Sequence, residues 1–522
     1  MTPTEQLEIE TKYDVDEHAI LPALHELPGV DRVEQPVELA LEAVYFDTAE
    51  LHLARNKVTL RRRTGGEDDG WHIKLPAARG RMEIQHPLGR AVRKVPIQVV
   101  RAVRVHVRDH ELLPVVTLAT RRIVHRLVDA EGEVLAEVAD DHVTATIHAP
   151  SAAAAPAAAA TPDGAAAADA SDAAGGVSSV SWREWEVELV NGPPELLEAA
   201  EPVLREAGAK PASGPSKLAR ALGDRVPKQE TWELPAKPTT ADLFRAYASA
   251  QVEAIHLRDP EVRRDLPDSV HKMRVATRRL RSALATYRPV VDREVGDAIR
   301  DELKWFAGEL GGARDAEVLR EHFLVAVSEQ PQELVMGRVA GYIDDHLRGV
   351  YKQARLQALE ALESERYFRL LDTLDQLVAA PPLLDAETKA KKQAPSLLKS
   401  DLKRMSKCVK RAEKAETLAE QDHELHETRK ASKRLRYAAE SAVPVLGQAA
   451  TDLATRAEQV QEVLGDHQDS VVARDLLRQL AVQQHLDGGN PFTLGRLHAA
   501  EEYRGARSRE AFLELWPTID FS

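Results

Sequence analysis

Polar and apolar positions alternate from residue 5 to residue 13. Glu8, Glu10 and Lys12 fall on one side of an extended chain, and Leu7, Ile9 and Tyr13 on the other. The same two-residue period predicts strands at 43–47, 57–63, 71–76, 81–88, 115–128, 134–146 and 182–190, with Pro76 stopping one of them. Asp129-Ala130-Glu131-Gly132 predicts a hairpin turn between 115–128 and 134–146. A 3.6-residue period predicts helices at 17–27, where Ile20, Leu24 and Leu27 share a face, and at 97–108, 193–207 and 215–223. Residues 149–180 form an Ala/Pro/Gly/Ser/Asp tract without large apolar side chains. Such a tract cannot bury a core, and strand patterning resumes directly after it. It is therefore expected to be a disordered insertion rather than a domain boundary.

The pattern breaks at 224–240, which is rich in Pro and Lys, and beyond it long amphipathic helices dominate. This second half repeats itself. His271-Lys272-Met273-Arg274-Val275-Ala276-Thr277-Arg278-Arg279-Leu280-Arg281 matches His426-Glu427-Thr428-Arg429-Lys430-Ala431-Ser432-Lys433-Arg434-Leu435-Arg436 at an offset of 155 residues. Leu310-Gly311-Gly312-Ala313-Arg314-Asp315 matches Leu464-Gly465-Asp466-His467-Gln468-Asp469 at an offset of 154. Two motifs at nearly one offset indicate duplication. The expected organisation is a strand-rich domain over 1–223, a linker over 224–238, and a helical domain over 239–518 with repeats at about 239–393 and 394–518.

Composition narrows the chemistry. The chain has 522 residues, 43% hydrophobic and 30% charged, with a net charge of −14. That balance suits a globular protein and argues against a general nucleic-acid binder. A single cysteine, Cys408, excludes a disulfide framework and a thiolate metal site within the chain, and fits a reducing, cytoplasmic compartment. No signal-peptide pattern is expected at the start, and no apolar run approaches the roughly 18 residues that a membrane span needs.

Charge then singles out one face of the strand-rich domain. Taken alone, Glu8/Glu10/Lys12 suits a solvated edge strand as well as a site. Yet Arg61/Arg63, Arg81/Glu83, Glu137/Asp141 and Glu184/Glu186/Glu188 each share a strand face too, Lys74 adds a cation, and the opposite faces are apolar. If amphipathic helices cover the outside of a closed sheet, these charges line its inside. Buried charges of both signs must be paired or liganded. A polyanion with a divalent cation would satisfy both sets, with Arg and Lys on phosphate oxygens and Glu on the metal.

This constellation resembles the CYTH family, the triphosphate tunnel metalloenzymes. Glu8-Ile9-Glu10-Thr11-Lys12 is similar to its ExExK signature. Thr59-Leu60-Arg61-Arg62-Arg63, His72-Ile73-Lys74-Leu75-Pro76, Glu186-Val187-Glu188-Leu189 and Ser216-Lys217-Leu218 follow where its later motifs belong, over about residues 1–223. The resemblance implies an α+β domain: an eight-stranded antiparallel β-barrel tunnel with outer helices, acting on a triphosphate with Mg2+ or Mn2+. It implies that Glu8, Glu10, Glu186 and Glu188 hold the metal, with Glu137 and Asp141 as further metal-binding residues, while Asp140 points away. Lys12, Arg61, Arg63 and Lys74 would clamp phosphates, joined by the Arg81/Glu83 strand and one of the adjacent Arg121 and Arg122. Lys217 would close one tunnel mouth, and Glu184 is expected to stay outside the core set. The catalytic group on this reading is Glu8, Glu10, Lys12, Glu186 and Glu188, hydrolysing inorganic triphosphate to pyrophosphate and phosphate. The rivals are an adenylate cyclase or organic triphosphatase on the same barrel, and a non-catalytic polyphosphate scaffold.

In the helical half, His271, Arg274, Arg278 and Arg281 form one helical stripe, and His426, Arg429, Lys433 and Arg436 repeat it. Stacked like charges destabilise a helix, so a stripe kept twice points to a polyanion. Lys399, Lys403, Lys407, Lys410 and Lys414 add a second basic face. These motifs resemble the CHAD domain, the conserved-histidine α-helical domain, over about 239–518. That implies an all-α domain of two four-helix bundles facing a basic groove that binds inorganic polyphosphate, with Lys272 joining the two stripes. The second copy departs at Glu427 and Gln468, which replace Lys272 and Arg314. Asp315 and Asp469 are expected either to orient the basic groups or to cap helices. No aromatics interleave with the stripe, which favours polyphosphate over nucleic acid.

Overall fold

The computed structural model describes residues 4–66, 68–77, 80–89, 94–148, 178–227, 232–385 and 387–519. It divides into two compact units, Met1–Thr231 and Trp232–Ser522. Of the expected insertion, 149–177 lies outside the described residues, and 178–180 already belong to a strand.

The first unit is an antiparallel sheet of β1 (Thr4–Glu8), β2 (Glu10–Val15), β3 (Arg32–Val33), β4 (Val37–Asp47), β5 (Thr59–Thr64), β6 (Gly70–Pro76), β7 (Arg81–Pro87), β8 (Leu113–Val128), β9 (Val134–Ile147), β10 (Ser178–Leu189) and β11 (Lys210–Pro211). Where alternation predicts one strand over 5–13, the chain makes two. β1 pairs with β7 and β2 pairs with β10, so the break at Ile9 closes the sheet into a barrel of eight strand positions. Ile9 still accepts a hydrogen bond from the Leu189 amide, so the backbone stays tied to β10 as β1 departs. Gly80 lets the chain pass closely there. Its φ is +69°, and a Cβ at this position would meet the Glu8 carbonyl oxygen at 2.0 Å. Gly80→Ala is expected to lower stability by roughly 1–3 kcal/mol, as strain at special backbone positions does. Urea denaturation checks this; an unchanged midpoint would show that the β1–β7 corner relaxes freely.

Apolar side chains on the outer face meet α2 (Ile97–Val107) and α3 (Glu195–Glu206), while the short α1 (His52–Arg55) links β4 to β5. Val99, Val103 and Val107 of α2 cover Leu60, Trp71, Ile73 and Ile84. Leu196, Ala200 and Leu204 of α3 cover Tyr13, Val138, Trp185 and Val187. The helix expected at 17–27 is not formed, and only Leu24–Glu26 make a 3-10 turn. Pro22 lies inside the segment; it removes a donor, clashes with the preceding turn and pushes Leu21 towards extended backbone. The segment still buries Leu24 and Leu27 over the barrel, whereas Ile20 is 83% exposed.

Inside the barrel, one end is apolar. Leu218, Ala221 and Leu222 of α4 (Lys217–Leu222) pack with Ala43, Tyr45, Val116, Leu118, Val143 and Ala145 and plug that end. Ser216 caps α4 by accepting from the Ala219 amide at 3.1 Å. The plug delivers Lys217, the first residue of α4, to the charged interior.

The second unit is all-helical: α5 (Thr240–Arg263), α6 (Ser269–Thr286), α7 (Arg293–Glu309), α8 (Gly311–Ser328), α9 (Val339–Leu362), α10 (Glu365–Ala379), α11 (Ala390–Glu413), α12 (Leu418–Leu446), α13 (Gln448–Leu486) and α14 (Phe492–Leu515). The second copy of the repeat is α11 to α14. In the first copy, α7 and α8 replace the single α13, with a break at Leu310, and α10 is added. The copies share a core: Phe323, Ile343 and Leu347 of the first pack with Leu477, Leu480, Leu494 and Leu497 of the second.

Candidate functional site

Register converts strand alternation into a charged interior. Opposed residues of an antiparallel pair share a face. Glu186 lies opposite Lys12, Glu188 opposite both Glu10 and Glu137, and Glu184 opposite Asp14 and Asp141. On the other wall, Lys74 faces Glu83 and Glu8 faces Arg81. The helices of the outer face leave these residues inside.

Two acidic foci result. In the first, ligand oxygens of Asp141, Glu184 and Glu186 lie within 4.8 Å of one another, and all three residues are buried. The Lys217 ammonium sits among them, 2.9 Å from Asp141, 2.7 Å from Glu184 and 2.6 Å from Glu186. Arg122 binds Asp141 through Nε at 2.8 Å and Nη2 at 2.6 Å, and Glu186 at 2.6 Å. Lys12 also pairs with Glu186, and with Glu10 at 2.8 Å. Burial works against the Glu186 charge, but Lys12, Lys217 and Arg122 overcome it and hold the carboxyl well below its ordinary range. Lys217 is likewise penalised by burial, yet Asp141, Glu186 and Glu184 drive its pKa up. This focus is already neutralised by the protein's own cations.

The second focus is Glu8, Glu10 and Glu188, and it lacks such balance. Lys74 holds Glu8 at 2.5 Å, yet burial still pushes the Glu8 carboxyl up. Burial also opposes the Glu10 charge, but Lys12 outweighs it and the carboxyl lies below its ordinary value. Among the described residues no cation lies within ion-pair distance of Glu188. Burial, together with the nearby Glu8 and Glu10, pushes its carboxyl up to about 7, with Lys74 opposing. Glu8 and Glu188 hold on to their protons partly because these carboxylates repel one another, and a hard divalent cation, which takes oxygen ligands and favours the ionised form, would relieve that repulsion.

The cationic wall fits a polyanion. The buried Nε atoms of Arg61 and Arg63 have no hydrogen-bond acceptor. Arg61 Nη1 donates to the Tyr45 hydroxyl at 3.3 Å, and its Nη2 lies 3.7 Å from Glu83. Burial, with Arg61 and Arg122 nearby, lowers the Arg63 guanidinium to about 9, and the Asp68 carboxylate pairs with it.

Several sequence expectations change here. Arg122, not Arg121, faces inward; Arg121 is half-exposed and lies 3.7 Å from Glu38 on the outside. Glu184 belongs to the interior set rather than outside it, because α4 brings Lys217 against it. Arg81 donates to the Lys57 carbonyl at 2.7 Å instead of pointing at the acidic foci. Glu137 pairs with Arg126 at 2.9 Å and is about a third exposed. His72 was missed, although its alternation with Lys74 could have found it. It is fully buried, with Nε2 2.9 Å from the Asp68 carbonyl and Nδ1 3.0 Å from Glu83. Burial lowers the His72 imidazole to about 4, so near neutral pH it carries one ring proton, donated either from Nε2 to the Asp68 carbonyl or from Nδ1 to the Glu83 carboxylate.

In the helical unit, α6 and α12 pack against each other and bring the two stripes together. Arg274 Nη1 donates to the Gly311 carbonyl at 3.1 Å and to Asp315 at 2.8 Å. In the second copy Arg429 lies over Gly465, with Asp469 near its guanidinium. Asp315 and Asp469 lie inside α8 and α13, so they orient arginines rather than cap helices. Burial, then Arg429 and Arg278, with Arg274 adding and Asp469 opposing, lowers Lys433 to about 7. Four cations therefore converge where each copy supplies two. Arg314 approaches His271, and Gln468 replaces it by hydrogen bonding to His426. Arg436 does not match Arg281: it is committed to Glu440 at 2.9 Å and Glu458 at 2.6 Å. Lys272 is exposed at the end of the stripe, and Glu427, its counterpart, pairs with Lys430.

The CYTH domain family matches residues 6–222, and the CHAD domain family matches residues 246–478. Uncharacterized proteins of two Mycobacterium tuberculosis strains are 40% identical over 521 residues, covering 97% of this chain and 95% of theirs. Among solved structures, the CHAD domain from the plant Ricinus communis is 28% identical, with a TM-score of 0.45, covering 56% of this chain and 96% of its own. PptA from Streptomyces chartreusis is 23% identical, with a TM-score of 0.46, covering 54% of this chain and 99% of its own.

Proposed function

The chain belongs to the proteins that join a CYTH domain to a CHAD domain, and from that premise we propose that it is a metal-dependent inorganic triphosphatase with an attached polyphosphate-binding module. The observation that supports this most directly is a double deficit inside one barrel. Glu188 beside Glu8 and Glu10 holds a proton to about 7, and the buried Nε atoms of Arg61 and Arg63 have no acceptor. A divalent cation and a polyanion would satisfy both together.

On this reading Glu8, Glu10 and Glu188 would hold Mg2+ or Mn2+, while Glu186, already engaged by Lys12, Lys217 and Arg122, positions the wall beside them rather than serving as a fourth ligand. The ion supplies neutralisation of phosphoryl oxygens and acidification of the attacking water. Lys12, Lys74, Arg61 and Arg63 bind and orient the triphosphate and stabilise charge on the transferred group. Lys217 and Arg122 keep Asp141 and Glu186 ionised, and Lys217 also ties Glu184 in place, so the wall carrying Glu186 and Glu188 does not rearrange when the cation binds. The α4 plug keeps water out of one end.

Phosphate release from inorganic triphosphate, ATP and thiamine triphosphate, each with Mg2+ and with Mn2+, tests the assignment. Inorganic triphosphate is expected to be cleaved fastest, without cyclic AMP from ATP. Glu8→Ala should abolish turnover and leave polyphosphate binding by the helical unit intact. Binding of triphosphate without metal-dependent release would sink the enzymatic reading and leave a scaffold.

The convergence of Arg274, Arg278, Arg429 and Lys433 supports polyphosphate as the ligand of the helical unit. Lys433 at about 7 sets a pH dependence. Phosphate favours the charged amine, so binding takes up a proton and affinity rises as pH falls through 7. Lys433→Arg should flatten this dependence between pH 6 and 9, because arginine stays charged throughout. Calorimetry in buffers of different ionisation enthalpy measures the proton uptake directly.

A further inference from the structure

The second basic face, on α11, is not absorbed by the groove. At 100° per residue, Lys392, Lys399, Lys403, Lys407, Lys410 and Lys414 fall within about 80° of helix arc and extend over about 33 Å. All six are exposed, and none has an ion-pair partner among the described residues. The acids of α11 do not neutralise them. Asp401 is buried and bonded to Thr286 and Arg434, and Glu413 pairs with none of the six. Packing does not explain the stripe either. α5 occupies the corresponding place in the first copy and has the same length, 24 residues, yet it contains no lysine. Consecutive like charges at i, i+3 and i, i+4 oppose helix formation, so the second copy carries a cost that the first avoids.

The stripe connects to the groove through cations. Arg281 lies beside Arg300 and Arg278. Arg434 lies beside Arg404 and Arg300, and Arg404 is exposed on α11 next to Lys403. The buried Nε atoms of Arg281, Arg300 and Arg429 have no acceptor, while Arg300 Nη1 donates to Asp297 at 2.6 Å, so Arg300 joins the path through its free edge. We propose that the anion groove between α6 and α12 continues through Arg281, Arg300 and Arg404 onto the lysine stripe of α11, forming one track for a long inorganic polyphosphate chain. This rests on the reading of the helical unit as a polyphosphate binder. Groove arginines have fixed, oriented guanidiniums that suit individual phosphates. The stripe offers mobile point charges, which suit an extended polyanion without positional demand. Chain length is therefore selected by the stripe rather than by the groove.

The test uses the full chain with alanine at Lys399, Lys403, Lys407 and Lys410 together. These side chains are exposed and alanine favours helix, so folding is preserved. Affinities for tetraphosphate and for long-chain polyphosphate are compared with those of wild type and of Arg274→Ala/Arg429→Ala. The expected result is a loss of about tenfold for the long chain, a salt slope reduced by about one per lysine removed, and unchanged tetraphosphate binding. If the lysine variant binds long chains as wild type does while the groove variant fails, the track is wrong and the groove stands. If the groove variant also binds normally, the polyphosphate reading falls with it. Equal losses for short and long chains, or tighter binding of duplex DNA than of polyphosphate by the wild-type stripe, would also overturn the proposal.

Discussion

Glu186→Gln should reduce triphosphate turnover roughly 100- to 1,000-fold, the effect typical of removing one preorganised charge from a catalytic site. Among the described residues, Glu186 is the single carboxylate that meets Lys12, Lys217 and Arg122 together. Glutamine keeps its size and removes its charge, leaving three buried cations to share Asp141, Glu184 and Glu10. Breaking a buried pair by removing one partner costs about 3–5 kcal/mol, so global stability should fall as well. The pH dependence separates this from a simple packing defect. The Glu186 carboxyl is held well below its ordinary value of 4.5. Its stabilising contribution is therefore present above pH 4.5 and is lost as pH falls below it. Urea denaturation should show a large wild-type advantage at pH 7 that shrinks progressively in acid. An advantage that stays constant with pH would mean that the carboxylate charge is not what ties the barrel wall together.

The second large effect is expected in the helical unit. Arg274→Ala with Arg429→Ala should weaken polyphosphate binding by about 100-fold or more, because two charge-assisted contacts at about 1.5–3 kcal/mol each are removed. The slope of affinity against salt should fall by about two. Arg274 donates to Gly311 and Asp315 across the α6–α8 contact, and its counterpart Arg429 lies over Gly465. Both guanidiniums press on Lys433, so the double variant should also raise the pH at which Lys433 titrates. Unchanged affinity, with circular dichroism confirming the fold, would remove the groove from the binding surface.

Much of this architecture was legible in local pattern. Alternation placed Glu8, Glu10, Lys12, Arg61, Arg63 and Lys74 on one face of their strands, and the outer-face residues Leu60, Ile73, Val138 and Val187 are buried under helices. The repeated stripes and the Leu-Gly motifs marked the duplication, and they meet at equivalent places in the two copies. Local pattern misled at 17–27, where apolar spacing suited a helix but Pro22 forbade it. It also left Arg121 and Arg122 undecided. Adjacent residues on a strand point to opposite faces, but only pairing with β9, which sets Arg122 opposite Asp141, says which face is inside.

The sequence by itself determined most of the elements, the faces of the strands, the two-unit organisation and the family, because periodicity and motif order are local properties of the chain. Tertiary structure decided which charges are already satisfied. Lys217 comes from a plug helix far along the chain and neutralises Asp141, Glu184 and Glu186, leaving Glu8, Glu10 and Glu188 as the carboxylates in need of a cation. Arg436 copies Arg281 in sequence, yet Glu458 on α13 neutralises it. An ion pair depends on distance in three dimensions, and burial raises its weight. No spacing rule along the chain could report which of these charges had found a partner.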